Sequence, residues 1–490
     1  MLEYIETAFT DSREARLRAT RKAAAYVVFG GVMLFLLQAY FNLMLLGRVT
    51  NTVADHSHFM YYSQYYLKIV SAMTAVALVV YYAANVISVC AEQSLDLRKF
   101  ALNNLILIPL ALMLLWAFIA TMKSPNLQKS LYGSGYINEG FFTVLQYAVV
   151  FLSAYAVRKQ VKFSKTAVVW TFIALAGLIE ICLLCVEIFP ITVPTAIKAG
   201  VFNNSNHFGY FLAMSATMTF GALVYSKNKA TTIITSLLLL LNVYYLFVSN
   251  ALGANLAYIG GIVFIVCSGA ITKKLQWKKL LLALGLSAAI TLLIEAVGRT
   301  NMWKSYIELL NDIKRVFSSG LGGEGEDASS SGTGRFGLWK RTIAVIKQVP
   351  WFGKGLDLYY ANNIYDPTLD VAHNEYLTMA SNVGIPGLIL YLTAIVWWFV
   401  KAVKNRKRLA YTDLLLLASA FAYLISAAFG NSFTYTYPYF LLFFAMSIQG
   451  GKSYDGEDLK AEDTTKDEKE KLSLDDVGKD GEERSLVEAV

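Results

Sequence analysis

Long apolar stretches recur from residue 23 to residue 449, separated by polar, basic or glycine-containing connections. They lie at 23–47, 67–91, 101–121, 141–158, 166–188, 206–225, 230–249, 251–270, 278–298, 375–400, 411–429 and 433–449. Most approach the roughly 20 apolar residues that carry a helix across the hydrocarbon core of a bilayer. The pattern predicts an all-α integral membrane protein of twelve transmembrane helices, with the division near Asn250 the least marked.

Two hydrophilic regions interrupt this pattern. One runs from 299 to 374, between the ninth and tenth apolar segments, and is far longer than any other connection. The other is the tail, which carries seven basic and fourteen acidic residues from Lys452 to Val490 and few aromatics, a composition expected of a disordered segment. The predicted organisation is a polar N-terminal segment over 1–22, helices one to nine over 23–298, a large loop over 299–374, helices ten to twelve over 375–449, and an acidic tail over 450–490.

Composition supports the membrane class. Charged residues make up 16% of the chain and hydrophobic residues 56%, against roughly 25% charged residues in a soluble globular protein. Charge also orients the helices. Arg13, Arg16, Arg18, Arg21 and Lys22 precede the first segment, without the pattern of a cleavable signal. Every second connection repeats the basic signal: Arg98 and Lys99, Arg158 to Lys165, Lys227 and Lys229, Lys273 to Lys279, Lys401 to Arg408. Together these segments hold 22 Lys and Arg, against five in the short alternate connections (Arg48, Lys68, Lys123, Lys129 and Lys198). The positive-inside rule then places both ends of the chain in the cytoplasm and the 299–374 loop outside. The formal net charge of +8 is largely this orienting signal and calls for no nucleic-acid partner. No internal repeat is evident. The long loop is late and external, which disfavours a transporter built from two six-helix halves.

Candidate chemistry gathers in the external loop. Residues 301–317 place Trp303, Ile307, Leu310 and Phe317 at helical spacing opposite Lys304, Glu308, Lys314 and Arg315, the pattern of a helix lying in the membrane interface. Residues 318–334 are rich in Gly, Ser and acids. A second amphipathic helix opens at Gly334-Arg335 and stops at Val349-Pro350, followed by a Gly353-Lys354-Gly355 turn. Arg335, Lys340 and Arg341 offer fixed positive charge, and Arg suits phosphate oxygens. His373 titrates near neutrality and suits proton transfer from a hydroxyl. The plainer reading makes these cations interfacial anchors and His373 part of a helix cap.

The stretch G-R-F-G-L-W-K-R-T-I-A-V-I-K-Q-V-P-W-F-G-K-G-L from Gly334, with A-H-N-E-Y-L-T-M-A-S-N-V-G-I-P-G-L from Ala372, resembles the signature region of the O-antigen ligase and O-antigen polymerase superfamily. Phe202 to Gly209, with its Asn cluster, resembles that family's opening of an earlier span. The resemblance implies a metal-independent, cofactor-free glycosyltransferase in a bacterial cytoplasmic membrane, working on the extracytoplasmic face. Its donor would be a polyprenyl-diphosphate-linked glycan, and its acceptor a hydroxyl on a glycan, a lipid core or a protein. It assigns the acceptor-activating histidine to His373 and a diphosphate-holding arginine to Arg335. Asn374, Tyr376, Trp339 and the Gly353/Gly355 turn belong to the same motif, more as shape than as chemistry. One departure stands out. Where the family carries a second arginine in Ser-Arg-Gly-Ala, this chain reads Ser249-Asn250-Ala251-Leu252-Gly253-Ala254. Arg299, Arg341 and Lys198 are the candidates to supply the missing charge. Ligase and polymerase share this donor chemistry and differ in the acceptor. A flippase for the same lipid-linked glycan, or an inactive membrane scaffold, are the readings from other classes.

Other polar residues were weighed alongside. His207, with Asn206, opens the sixth span and serves either an acceptor site or a buried polar cap. Asp55-His56-Ser57-His58 reads as a solvated loop with too few metal ligands. Glu187 and Glu295 lie near span ends, whereas Glu180 is deep enough to serve a proton path or an interhelical hydrogen bond. Cys90, Cys182, Cys185 and Cys267 fall within spans and read as apolar filler.

Overall fold

A computed structural model describes residues 2–45, 53–91, 104–134, 138–161, 163–189, 197–202, 204–301 and 335–448 apart from 432 and 433, with scattered residues between 303 and 314. Side chains are described over less of the chain, excluding 2–14, 43–61, 88–91 and 197–199. The chain divides into units 1–449 and 450–490, and the second lies outside the described residues.

Among the described residues each apolar stretch contains a helix, the first being divided in two at Leu37, and no strand occurs. The helices are α1 (Leu2–Leu36), α2 (Gln38–Leu45), α3 (Val53–Ala91), α4 (Leu107–Met122), α5 (Leu127–Tyr132), α6 (Phe141–Gln160), α7 (Ser164–Ile188), α8 (Ser205–Tyr225), α9 (Lys229–Val248), α10 (Leu252–Ile271), α11 (Trp277–Ala296), α12 (Arg335–Gln348), α13 (Glu375–Lys404), α14 (Tyr411–Ala427) and α15 (Tyr437–Ser447). Nine are long and apolar enough to cross a membrane among the described residues. The other three apolar segments, α4, α14 and α15, are helices of 16, 17 and 11 residues. The expectation of twelve full-length spans is refined accordingly. In α14 and α15 the side chains are almost wholly buried against protein, so their apolar character is satisfied within the bundle.

One further expectation is corrected. Asp55 to His58 belong to the first turns of α3 and not to a loop, because that helix begins at Val53, ahead of its apolar stretch. The basic N-terminal segment is likewise helical and continuous with the first apolar stretch in α1. The least-marked division is real: α9 and α10 are separated at Ser249–Ala251, where Asn250 adopts a left-handed φ of 57°.

Helix α8 forms the centre. His207 to Tyr225 are all buried, packed by α7, α9, α10 and α14. Small residues permit close approach, as bundles in lipid require: Gly221 leaves room for Leu415, and Gly261 for Thr217. The deep Glu180 on α7 accepts a hydrogen bond from Asn242 Nδ2 on α9 at 3.2 Å, so the structure gives it an interhelical bond. Glu187, one level nearer the helix end, accepts from Tyr244 at 2.8 Å and lies 3.9 Å from Arg299. Cys182, Cys185 and Cys267 are free thiols, and the side chain of Cys90 lies outside the described residues.

The connections sort to two ends of the bundle. At one end Lys165 pairs with Asp413 at 2.6 Å, Arg158 donates to the Ile448 carbonyl, and Lys279 and Gln276 both reach Ser226. These include several of the basic connections picked out in the sequence. At the other end Ser134 meets Asp357, Glu139 meets Thr434 and Asn431 meets His373, while Gly430 and Ser249 to Ala251 lie against the first turns of α8.

Helix α13 is broken near its start, and this break shapes the site. Gly384 has φ 81° and ψ 170°, and Pro386 follows. Proline lacks the N–H that would reach the Asn382 carbonyl, and Ile385 N–H turns instead to the Pro350 carbonyl at 2.8 Å. The carbonyls released by the break find partners in the glycine turn. Lys354 N–H donates to Ser381 O at 2.7 Å and Gly355 N–H to Asn382 O at 3.1 Å, while Trp116 Nε1 donates to Val383 O at 3.0 Å. Gly353 and Gly384 press so closely on the opposite backbone that a Cβ on either would collide with it.

Candidate active site

Site geometry begins with the turn that docks into this break. Lys354 is buried, donates Nζ to the Leu358 carbonyl and lies 3.9 Å from the Tyr359 ring centroid. Burial lowers its ammonium to about 7, against the pull of nearby Asp357. Burial likewise raises Asp357 to about 6, although its carboxylate accepts the Ser134 N–H. Asp357 therefore fastens the 353–359 segment to the loop at Ser134. That loop presents Glu139, whose Oε1 accepts from Tyr147 at 2.6 Å and from Thr434 N–H at 3.1 Å. Burial pushes the Glu139 carboxyl to about 8. Asp357→Asn is expected to lower stability by about 1–3 kcal/mol, because the buried Ser134 N–H would lose its carboxylate acceptor and Lys354 the charge that favours its ammonium. An unchanged thermal midpoint in detergent would show that Asp357 does not hold the turn.

On this frame the structure brings three sequence-identified residues together. Arg335 opens α12, and its charge, with burial, holds the His373 imidazole below the usual histidine pKa; Asp370 opposes this weakly. His207 is an electrostatic neighbour of His373, and Tyr210, one turn along α8, is a neighbour of Arg335. Arg335 makes no ion pair among the described residues. His373 has a left-handed φ of 47°, a conformation that costs a non-glycine residue about 1–2 kcal/mol. It immediately precedes Asn374, the N-cap of α13, whose side chain accepts Leu377 N–H at 3.1 Å. The Asn204 side chain caps α8 in the same manner, accepting Asn206 N–H at 2.8 Å. The positive ends of α8, α12 and α13 thus converge beside Arg335, an environment that favours an anion and a neutral imidazole.

Other residues singled out in the sequence have different surroundings. Arg341 is held by Asp366 in a bidentate pair at 2.9 and 2.7 Å, with Thr368 at 2.6 Å. The bond from Arg341 keeps the Asp366 carboxyl below its usual range. Arg341 is thus already engaged as a brace between α12 and the 366–368 turn. Arg299 lies beside Glu187, Lys340 is exposed, and the Lys198 side chain lies outside the described residues. Trp339 packs edge-on against Phe336 at 5.1 Å, with a buried indole N–H that lacks a partner among the described residues. Tyr376 donates to the Leu424 carbonyl at 2.7 Å, tying α13 to α14. The described residues from Trp303 to Lys314 are helical, with Trp303, Ile307 and Leu310 exposed as an interfacial face requires. Phe317 and residues 318–334 lie outside the described residues.

The departure at 249–255 sits close to this centre. Gly209 brings α8 against Ser249, Ala251 and Ala254, so the uncharged Asn250 stretch borders the helix turn that carries His207. The sequence reading did not pick out Asn431, whose Nδ2 lies 3.4 Å from Nδ1 of His373, nor Glu139, Lys354 and Asp357 behind it.

Residues 236–392 match the family model described as O-antigen ligase, a span running from within α9 through the broken start of α13 and including both Arg335 and His373. The chain carries an O-antigen ligase domain. No curated protein matches the chain. With nine helices among the described residues able to cross a membrane, the segment similar to O-antigen ligase lies within a multi-pass membrane protein.

Proposed function

We propose that this protein transfers a glycan from a polyprenyl diphosphate to a hydroxyl acceptor on the extracytoplasmic face of the bacterial cytoplasmic membrane. The observation that carries the reading is the meeting of Arg335, His373 and the positive ends of three helices in one place. Such a place holds an anionic leaving group and keeps a base neutral beside it. The basic connections gather at the opposite end of the bundle, which supports an outward-facing site with both chain ends inside and twelve crossings.

The acceptor hydroxyl gives its proton to His373 as its oxygen forms a bond to the anomeric carbon. The bond from that carbon to the diphosphate oxygen breaks, and its electron pair leaves with the diphosphate. Arg335 offsets the charge that builds there, and His373 returns its proton to solvent. A glycan repeat, a lipid core or a protein hydroxyl fits the acceptor role equally.

The test uses purified protein in nanodiscs with a polyprenyl-diphosphate oligosaccharide and a mixed acceptor pool. Release of polyprenyl diphosphate with glycan appearing on acceptor supports the reading, and a product ladder would mark polymerisation. Movement of intact donor across a bilayer without cleavage would replace it with transport.

A further inference from the structure

We propose that Thr378 and Asn431 form a positioning relay for His373, a role that rests on the transfer reading above and adds to it the groups that orient the base. The amide Nδ2 of Asn431 lies 3.4 Å from His373 Nδ1, and the amide Oδ1 accepts from the Thr378 hydroxyl at 3.3 Å. Thr378 is one turn past the N-cap of the helix that His373 precedes, so base and hydroxyl share a rigid element.

Asn431 comes from elsewhere, between the anchored residues Phe429, Gly430 and Thr434. It lies buried in the turn between α14 and α15. Before it, the Phe429 carbonyl accepts from Tyr210 at 3.0 Å, and Gly430 leaves no space for a side chain against Tyr210. After it, Thr434 donates its N–H to Glu139 and accepts from Gln38 Nε2 at 2.7 Å. The amide therefore cannot follow His373 if the imidazole moves; it fixes where the imidazole must sit.

The chemistry explains why an amide suits this place. A neutral imidazole has one N–H and one bare nitrogen, and the partner on one nitrogen decides the state of the other. An amide carries a donor and an acceptor, and a hydroxyl can serve as either. As the amide is oriented, Nδ2 can donate to Nδ1 when that nitrogen is the bare one. When the amide turns over, Oδ1 faces Nδ1–H, Thr378 accepts from Nδ2, and Nε2 is the bare nitrogen that takes the acceptor's proton. The charged or titratable groups facing His373 are Arg335 from α12, Asp370 from its own segment and His207 from α8. Asn431 adds orientation without adding a negative charge that would hold the imidazolium.

Asn431→Asp, Asn431→Leu and Thr378→Val test the relay. Asn431→Asp is nearly isosteric and is expected to raise the His373 titration midpoint, moving the acid limb of transfer upward by about one pH unit. Asn431→Leu is expected to lower kcat about 10- to 100-fold with little change in KM, and Thr378→Val to act in the same direction but less. Side-chain 15N shifts of His373, picked out from the chain's four histidines by its absence in His373→Gln, read orientation and titration without any activity. An Asn431→Asp protein whose His373 shifts and acid limb both match wild type would overturn the relay while leaving transfer intact. His373 shifts that move in Asn431→Asp, together with a wild type that cleaves no donor, would instead overturn the transfer reading.

Discussion

His373→Ala is expected to slow glycan transfer by about 10²–10⁴-fold, the usual worth of a positioned general base. His373→Asn is the sharper companion. Asparagine tolerates the left-handed backbone that this position adopts, so its loss reports chemistry and not a rebuilt turn. The pH dependence has a definite sign. Only the neutral imidazole accepts a proton, and burial with Arg335 lowers the His373 pKa from 6.5. Transfer should therefore hold through neutrality and fall only on the acid side of that value. Release of polyprenyl diphosphate, followed across pH for wild type and both variants, checks this. A His373→Asn protein that transfers at the wild-type rate would remove the base from the mechanism.

Gly384→Ala is expected to be the most damaging single substitution for stability, at about 4 kcal/mol or more. Its φ and ψ fall in a region open essentially to glycine alone, which by itself costs about 1–3 kcal/mol. The added Cβ would also run into the Trp351 carbonyl, a backbone group with no freedom to move aside. Trp351 in turn belongs to the turn that supplies hydrogen bonds to the released Ser381 and Asn382 carbonyls. Strain at Gly384 therefore passes into the segment that leads to His373. Thermal unfolding in detergent, read beside transfer, measures it; a variant that matches wild type in both would show the break to be incidental.

Much of the helical architecture could be read because apolar length is a direct physical demand of the bilayer. Among the described residues every one of the twelve apolar stretches contains a helix. What escaped were features whose signals lie beneath that demand. Gly384 and Pro386 sit inside a long apolar run, so the segment read as one continuous span. The polar residues 53–66 read as loop, yet they continue α3. At the site, His373 and Arg335 were legible because their motif is local. Asn431 was not, since 58 residues separate it from His373 and no periodicity links them. Arg341 looked like a free cation because its partner Asp366 lies across a turn 25 residues away. Lys354 was legible only as part of a glycine turn and Asp357 carried no signal, since only the fold encloses them.

The enclosure of α8 bears on how such a chain is made. Its Ser215, Thr217 and Thr219 hydroxyls face protein, without hydrogen-bond partners among the described residues. One wall of that enclosure is α14, where Ser419 donates to the Met214 carbonyl at 3.0 Å and Leu415 fills the space over Gly221. Synthesis reaches α14 nearly two hundred residues after α8 is complete. Until then the most interior helix of the finished protein has an open flank, and its hydroxyls border lipid or whatever insertion factor stands in for the missing wall. A wall made later thus closes a centre made before it.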